Sequence, residues 1–182
     1  MRRELLMAMV SVFTLGGLLA MGAYAGHDSH WGRKIDPIVS TEWLSAHSAE
    51  VVILDIRSSA DYAGGHIPNS INEPFPNPFE TKWVVSDPNG LWLQLPEKED
   101  LFETIGSLGM TKHSLVVIVT APNPGEPPFY GLANATRVAD TLIYAGVKNV
   151  AILDGGYPKW VAEGRPATKD APQVIPIEYD SK

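Results

Sequence analysis

The sequence predicts an α/β domain built on a mostly parallel β-sheet with helices on both faces. Two observations carry this. Val51–Arg57 and Leu115–Thr120 are short, continuously apolar runs rich in β-branched residues, which implies burial on both faces of a sheet. Helix-period segments separate the strand-like runs, so successive strands need crossover connections and align in parallel.

The elements follow in order. Ile38-Val39 is a short first strand, and Ser40 is placed to cap a helix through about His47. Val51–Arg57 is the second strand. Ser59–Ala63 is a helical turn stopped by Gly64-Gly65, and Ser70–Asn72 is a brief strand ending at Pro74. Pro96-Glu97 open a helix to about Leu108, with Leu101, Ile105 and Leu108 on one face. Leu115–Thr120 is the next strand. Gly131–Ala145 is the longest amphipathic helix and stops at Gly146. Asn149–Leu153 is the last strand, and Gly155-Gly156 turns it into a final helix with Pro158 in its first turn. Residues 167–182 are expected to be a tail lying on the surface.

The segment 75–96 interrupts this alternation. It holds Pro76, Pro78, Pro88 and Pro96, and four of the chain's sixteen aromatics, about twice its share. Asp87-Pro88-Asn89-Gly90 fits a type I turn, so Lys82–Ser86 and Leu91–Leu95 are expected to pair as a hairpin insertion. Two readings stand for Trp83 and Trp92. Either they pack on the sheet edge and close the core, or they are exposed contacts that cover a pocket and recognise a ligand or partner.

Composition narrows the function. The 182 residues carry 14 basic against 21 acidic side chains, a formal net charge of −7, which argues against nucleic acid as partner. Cysteine is absent, which removes disulfides, thiolate metal sites, a lipoprotein anchor and every cysteine nucleophile. Arg2 and Arg3 precede an apolar stretch from about Leu5 to Met21, closed by Ala23-Tyr24-Ala25. Residues 1–25 therefore read as a secretory signal cleaved after Ala25, which predicts a periplasmic or secreted protein; membrane attachment arises only if that segment is retained. Residues 26–34 read as a polar tail. Within it His27 and His30 lack a clustered third ligand, and no metal or cofactor is expected. Asn134-Ala135-Thr136 matches a glycosylation sequon but falls inside a helix.

Several motifs carry a resemblance. They are Leu54-Asp55-Ile56-Arg57, Asp61-Tyr62, Gly65-His66-Ile67-Pro68-Asn69-Ser70-Ile71-Asn72, Gly146-Val147-Lys148-Asn149-Val150 and Asp154-Gly155-Gly156-Tyr157-Pro158-Lys159-Trp160. These resemble the strand-Asp-x-Arg, Gly-His-Ile-Pro-Gly-Ala and Gly-Gly-x-x-x-Trp signatures of the rhodanese (sulfurtransferase) family, in the family's order. The resemblance implies a single rhodanese-like domain over residues 35–166. It also implies a sulfurtransferase site in which one cysteine, directly after the strand that precedes the long helix, carries a persulfide within a loop of backbone N–H groups.

Here that position falls on Ala121, or on Thr120 with a one-residue shift, and neither carries sulfane sulfur. The loop continues through Asn123, Gly125 and Glu126 to Tyr130, and four prolines within it lack N–H donors. Glu126 adds a negative charge where an anion belongs. Asp55 and Arg57 are expected to brace this loop, and His66 to be a hydrogen-bonded turn residue rather than a base. The expected function is a catalytically inactive binding or accessory module for a small anion, a sulfur species or an envelope protein partner. The alternative is a sulfurtransferase of sulfur or oxyanion metabolism that works with a thiol supplied by a partner.

Overall fold

The structure is a computed structural model that describes residues 32–75, 77, 79–87, 89–90, 92–122 and 130–180. Five parallel strands form one sheet: β1 (Ile38–Val39), β2 (Val52–Asp55), β3 (Ile71–Asn72), β4 (Leu115–Val119) and β5 (Asn149–Leu153). Their spatial order is β1-β5-β4-β2-β3. The helices are α1 (Thr41–His47), α2 (Ser59–Gly64), α3 (Lys98–Ser107), α4 (Tyr130–Tyr144) and α5 (Gly156–Ala162).

Alternation along the central strands sorts their side chains into two cores. Leu54, Val116, Ile118, Val150 and Ile152 face Leu101 and Ile105 of α3 and Val138 and Leu142 of α4. Ile53, Val117, Val119, Ala151 and Leu153 face Leu44 of α1 and Trp160 of α5. Burial on both faces is why these strands read as continuous apolar runs. The helix starts are capped locally: Ser40 Oγ accepts the Trp43 N–H at 3.1 Å, and Ser58 Oγ accepts that of Asp61 at 3.1 Å.

β2 and β4 run level, from Val52 opposite Val116 to Asp55 opposite Val119, and Ile56 N–H extends the ladder to the Val119 carbonyl at 3.0 Å. From this pair the chain leaves in opposite directions, β2 toward β3 and β4 toward β5. The carboxyl ends of β2 and β4 thus flank the topological switch point, where open α/β sheets place their ligand sites.

Three expectations change. The hairpin reduces to one bridge, in which Val85 and Gln94 exchange both backbone hydrogen bonds at 2.9 Å. Pro88 and Leu91 lie outside the described residues, and the turn is held by Asp87 Oδ1 accepting the Asn89 N–H at 2.6 Å. The C-terminal stretch is irregular as expected, but it is packed rather than merely superficial. Thr168 bridges to His66, the Ile177 N–H donates to the Gly106 carbonyl at 3.0 Å, and Tyr179 is buried against Phe102 with its hydroxyl donating to the Ala145 carbonyl at 2.8 Å. A Cβ on Gly106 would stand 2.3 Å from the Ile177 carbonyl oxygen, so glycine makes the close passage of this strap over α3 possible.

The insertion's two tryptophans part company. Trp83 is fully buried, with its indole N–H donating to the Glu73 carbonyl at 3.1 Å, whereas Trp92 is 57% exposed. Trp83→Ala is expected to cost about 3–5 kcal/mol in denaturant unfolding, and Trp92→Ala less than about 1 kcal/mol. Equal losses would place both rings in the core.

Candidate functional site

The site is assembled from the carboxyl end of β2. Asp55 is completely buried and Arg57 nearly so. Arg57 Nε donates to both Asp55 carboxylate oxygens at 3.0 Å, and Nη2 donates to Oδ2 at 2.6 Å. The Arg57 backbone N–H adds a bond to Oδ1 at 3.0 Å, which folds the strand end back on its own side chain. The guanidinium reaches beyond this pair: Nη2 donates to the Gly65 carbonyl at 2.9 Å, and the plane lies 3.8 Å from the Tyr157 ring centroid. Asn72 Nδ2 donates to the Asp55 and Arg57 carbonyls at 2.9 and 3.0 Å, closing the turn from β3. One carboxylate thereby organises β2, the α2–β3 turn and the start of α5.

The turn itself is dry. His66 is fully buried and stacked on Tyr62, with ring centroids 3.7 Å apart. Its Nδ1 lies 2.9 Å from the Tyr62 carbonyl oxygen and its Nε2 3.2 Å from that of Asp170. The Tyr62 hydroxyl donates to the Ser70 carbonyl at 2.5 Å, and burial is the largest influence raising its pKa above the ordinary phenol value. His66 lies within the fold, away from solvent.

Across the switch point, β4 is followed by Thr120 and Ala121. The Thr120 carbonyl accepts the Tyr157 N–H at 2.9 Å, and the Thr120 hydroxyl donates to the Gly131 carbonyl at 3.2 Å. Two glycines allow the chain to pass this tightly. A Cβ on Gly156 would meet the Thr120 carbonyl oxygen at 2.1 Å, and one on Gly131 would meet that of Ala121 at 2.5 Å. Ala121 is partly buried at the start of the loop and presents only a methyl group. Asn123, Gly125 and Glu126 lie outside the described residues, as do residues 1–25 and both His27 and His30. Tyr130 opens α4 and is exposed.

The cations beside these strand ends are committed internally, Arg57 as described and Lys159 to Asp154 at 2.5 Å. Among the described residues no cluster of three or more His, Asp or Glu side chains is placed to hold a metal ion. Beyond the loop, the insertion is tied to α4. Asn134 Nδ2 donates to the Phe75 carbonyl at 3.5 Å and Arg137 Nη2 to the Leu93 carbonyl at 2.7 Å. Trp83 is core, and of the two tryptophans only Trp92 offers a face to a ligand; it meets Phe79 edge-to-face at 5.6 Å.

Sequence reasoning did not single out Tyr157 beneath Arg57, nor Arg137 and Phe79. Tyr157 had a signal, because an aromatic directly after the Gly155-Gly156 turn is delivered to the same sheet edge as the end of β2.

Asp55→Ala or Arg57→Ala alone is expected to lower unfolding stability by about 3–5 kcal/mol, since each leaves a buried charge uncompensated. Arg57→Lys is expected to recover little, because the forked geometry and the ring stacking are lost. The double variant Asp55→Leu/Arg57→Met should be less destabilised than either single alanine variant. Single variants that melt like the parent would mean that the pair does not hold the strand end.

Comparison with known proteins places this geometry. A putative thiosulfate sulfurtransferase of Synechococcus elongatus is 27% identical over 185 residues, covering all of this chain and 53% of that protein. A thiosulfate sulfurtransferase of Pseudomonas aeruginosa is 30% identical over 126 residues, covering 69% of this chain and 41% of its own length. The chain therefore spans about half the length of the curated relatives it matches. The crystal structure of the 3-mercaptopyruvate sulfotransferase SseA from Escherichia coli superposes with a TM-score of 0.61 at 20% identity, over 80% of this chain and 56% of that one, a likeness of fold alone. The family profile of the rhodanese-like domain matches residues 40–163, and the chain belongs to that family.

Proposed function

We propose that this protein is a non-catalytic rhodanese-like domain, a pseudoenzyme exported to the periplasm or secreted, that serves as a binding or accessory module for a partner protein. The observation that carries this reading is the absence of cysteine from all 182 residues, with Thr120 and Ala121 following β4. Taking sulfane sulfur from thiosulfate requires a thiolate that attacks the outer sulfur, keeps it as a persulfide and releases sulfite. A methyl group has no lone pair to attack with, and the Thr120 hydroxyl proton is committed to the Gly131 carbonyl. A protein partner is favoured over a bare anion because Arg57 and Lys159 are already paired, while Phe79 and Trp92 remain exposed.

A second reading has one observation in its favour. The relatives described above are sulfurtransferases about twice as long as this chain. Under that reading the thiolate of a partner performs the attack and this domain supports it.

Purified protein given thiosulfate and cyanide is expected to form no thiocyanate above background, and turnover without any added thiol protein would overturn the non-catalytic reading. Ala121→Cys is expected to stay inactive as well, because a reactive thiolate needs a lowered pKa and an oriented cradle. Four prolines and Glu126 in the loop provide neither. Appreciable thiocyanate formation by that variant would mean that the loop still works as a cradle. Export is checked by the intact mass of protein recovered from the cell envelope, which is expected to begin at Gly26; a mass retaining the first 25 residues would instead support membrane attachment.

A further inference from the structure

The insertion between β3 and α3 exposes two aromatic rings on its outer side. Phe79 and Trp92 are each 57% exposed, and their rings meet edge-to-face at 5.6 Å and 65°. The backbone that presents Trp92 is strained. Leu93 has φ +54°, one of only two non-glycine residues with positive φ among the described residues, a conformation costly for a bulky side chain. That residue is gripped from both sides. Its N–H donates to Ser86 Oγ at 2.9 Å, and its carbonyl accepts from Arg137 Nη2 at 2.7 Å. Arg137 belongs to α4, so a core helix reaches outward to hold a strained residue whose neighbour is an exposed indole. Trp83 is buried from the same segment, and the Leu93 side chain packs against the same core cluster while its neighbour Trp92 stays outside.

The surroundings select a partner by charge. From Glu73 to Glu103 the chain carries seven acidic residues and two lysines. Lys82 is paired with Glu73 at 3.1 Å, and Lys98 lies 5.1 Å above the Phe102 ring. A groove of about 370 Å³ runs between the insertion and α3, lined by Lys82, Val84, Val85 and Pro96 from the insertion and by Asp100 and Glu103 from α3. Neither carboxylate has a cationic partner among the described residues. Val85 joins groove and ring pair, since it is bridged to Gln94, two residues from Trp92. Exposed aromatic faces on a segment with this excess of carboxylates disfavour an acidic surface. They suit guanidinium groups, which stack on indole and pair with carboxylate using one planar group.

We infer that Phe79 and Trp92 form a docking surface for a basic, arginine-bearing segment of a partner protein, with Asp100 and Glu103 taking further cations of that segment. Arg137 and Ser86 are positioning residues that act through Leu93. The inference rests on the reading of the domain as a partner-binding module and specifies the chemistry of the partner.

The test titrates the full chain with hexa-arginine and with hexa-glutamate by calorimetry, at low and high salt, alongside variant proteins. Hexa-arginine is expected to bind and hexa-glutamate not to. Trp92→Ala and, made separately, Phe79→Ala are expected to weaken hexa-arginine roughly tenfold, the loss typical of a truncated aromatic anchor. Arg137→Ala is expected to weaken it with little change in melting temperature, and Arg137→Lys, which keeps a donor for the Leu93 carbonyl, to restore it in part. Two ring variants that bind hexa-arginine like the parent would reduce the effect to diffuse charge and overturn the inference. So would binding of hexa-glutamate, or a dimer in sedimentation that Trp92→Ala dissociates, which would assign the surface to a second copy of this chain. Thiocyanate formation by the parent protein would end the non-catalytic reading and leave this result standing. Failure to bind hexa-arginine would end the inference without restoring catalysis.

Discussion

The buried Asp55–Arg57 pair is the constraint on which the carboxyl end of the sheet depends. A carboxylate removed from water needs several donors, and Asp55 receives them from one side chain and one backbone N–H two residues away. Satisfying it pins Arg57, and the remaining guanidinium surface then has fixed partners in Gly65 and Tyr157. Tyr157 in turn donates its N–H to Thr120, the residue that delivers the chain to Ala121. The order of dependence runs from a charge on β2 through α5 to the end of β4. It explains why four segments distant in sequence converge on one rim.

That order also separates the fold from the chemistry its family is known for. None of the bonds in the chain from Asp55 to Thr120 involves the side chain at position 121. The methyl group of Ala121 takes no part in the hydrogen bonds of that scaffold. The close passages at Gly131 and Gly156 depend on the Ala121 and Thr120 carbonyls, which any residue supplies. The architecture at this rim therefore does not depend on which side chain occupies position 121. The reverse does not hold, because a nucleophile without this bracing has no fixed position.

How much of this was legible in the sequence follows from the range of each interaction. The strands and their two-faced burial were readable, because Val116 and Val117 must point in opposite directions and both are apolar. Ser40 and the Gly146 stop were readable because capping acts within one turn. The site's bracing was legible through resemblance at Asp55 and Arg57, but Tyr157 was not, since a ring one hundred residues away is brought beneath a guanidinium only by the β5–β4–β2 order. Composition marked 75–96 as aromatic without saying which ring turns inward. Trp83 and Trp92 differ in the bonds around them, Glu73 beneath one and a strained Leu93 beside the other, and neither feature has a local signature. Tyr179 was missed for a related reason: it follows two prolines in an irregular strap, and its burial depends on α3 presenting Gly106.

The helix that links these regions is α4. Its first residue follows the loop that begins at Ala121, its Asn134 and Arg137 hold the insertion, and Ala145, just beyond its last turn, accepts the Tyr179 hydroxyl. Val138 and Leu142, on its inner face, lie in the largest hydrophobic core. One helix therefore carries both the contacts to the insertion and the end of the loop that begins at Ala121. The insertion is thus no loose appendage despite its prolines. It is a surface tied, by Asn134 and Arg137, to the helix that follows the Ala121 loop.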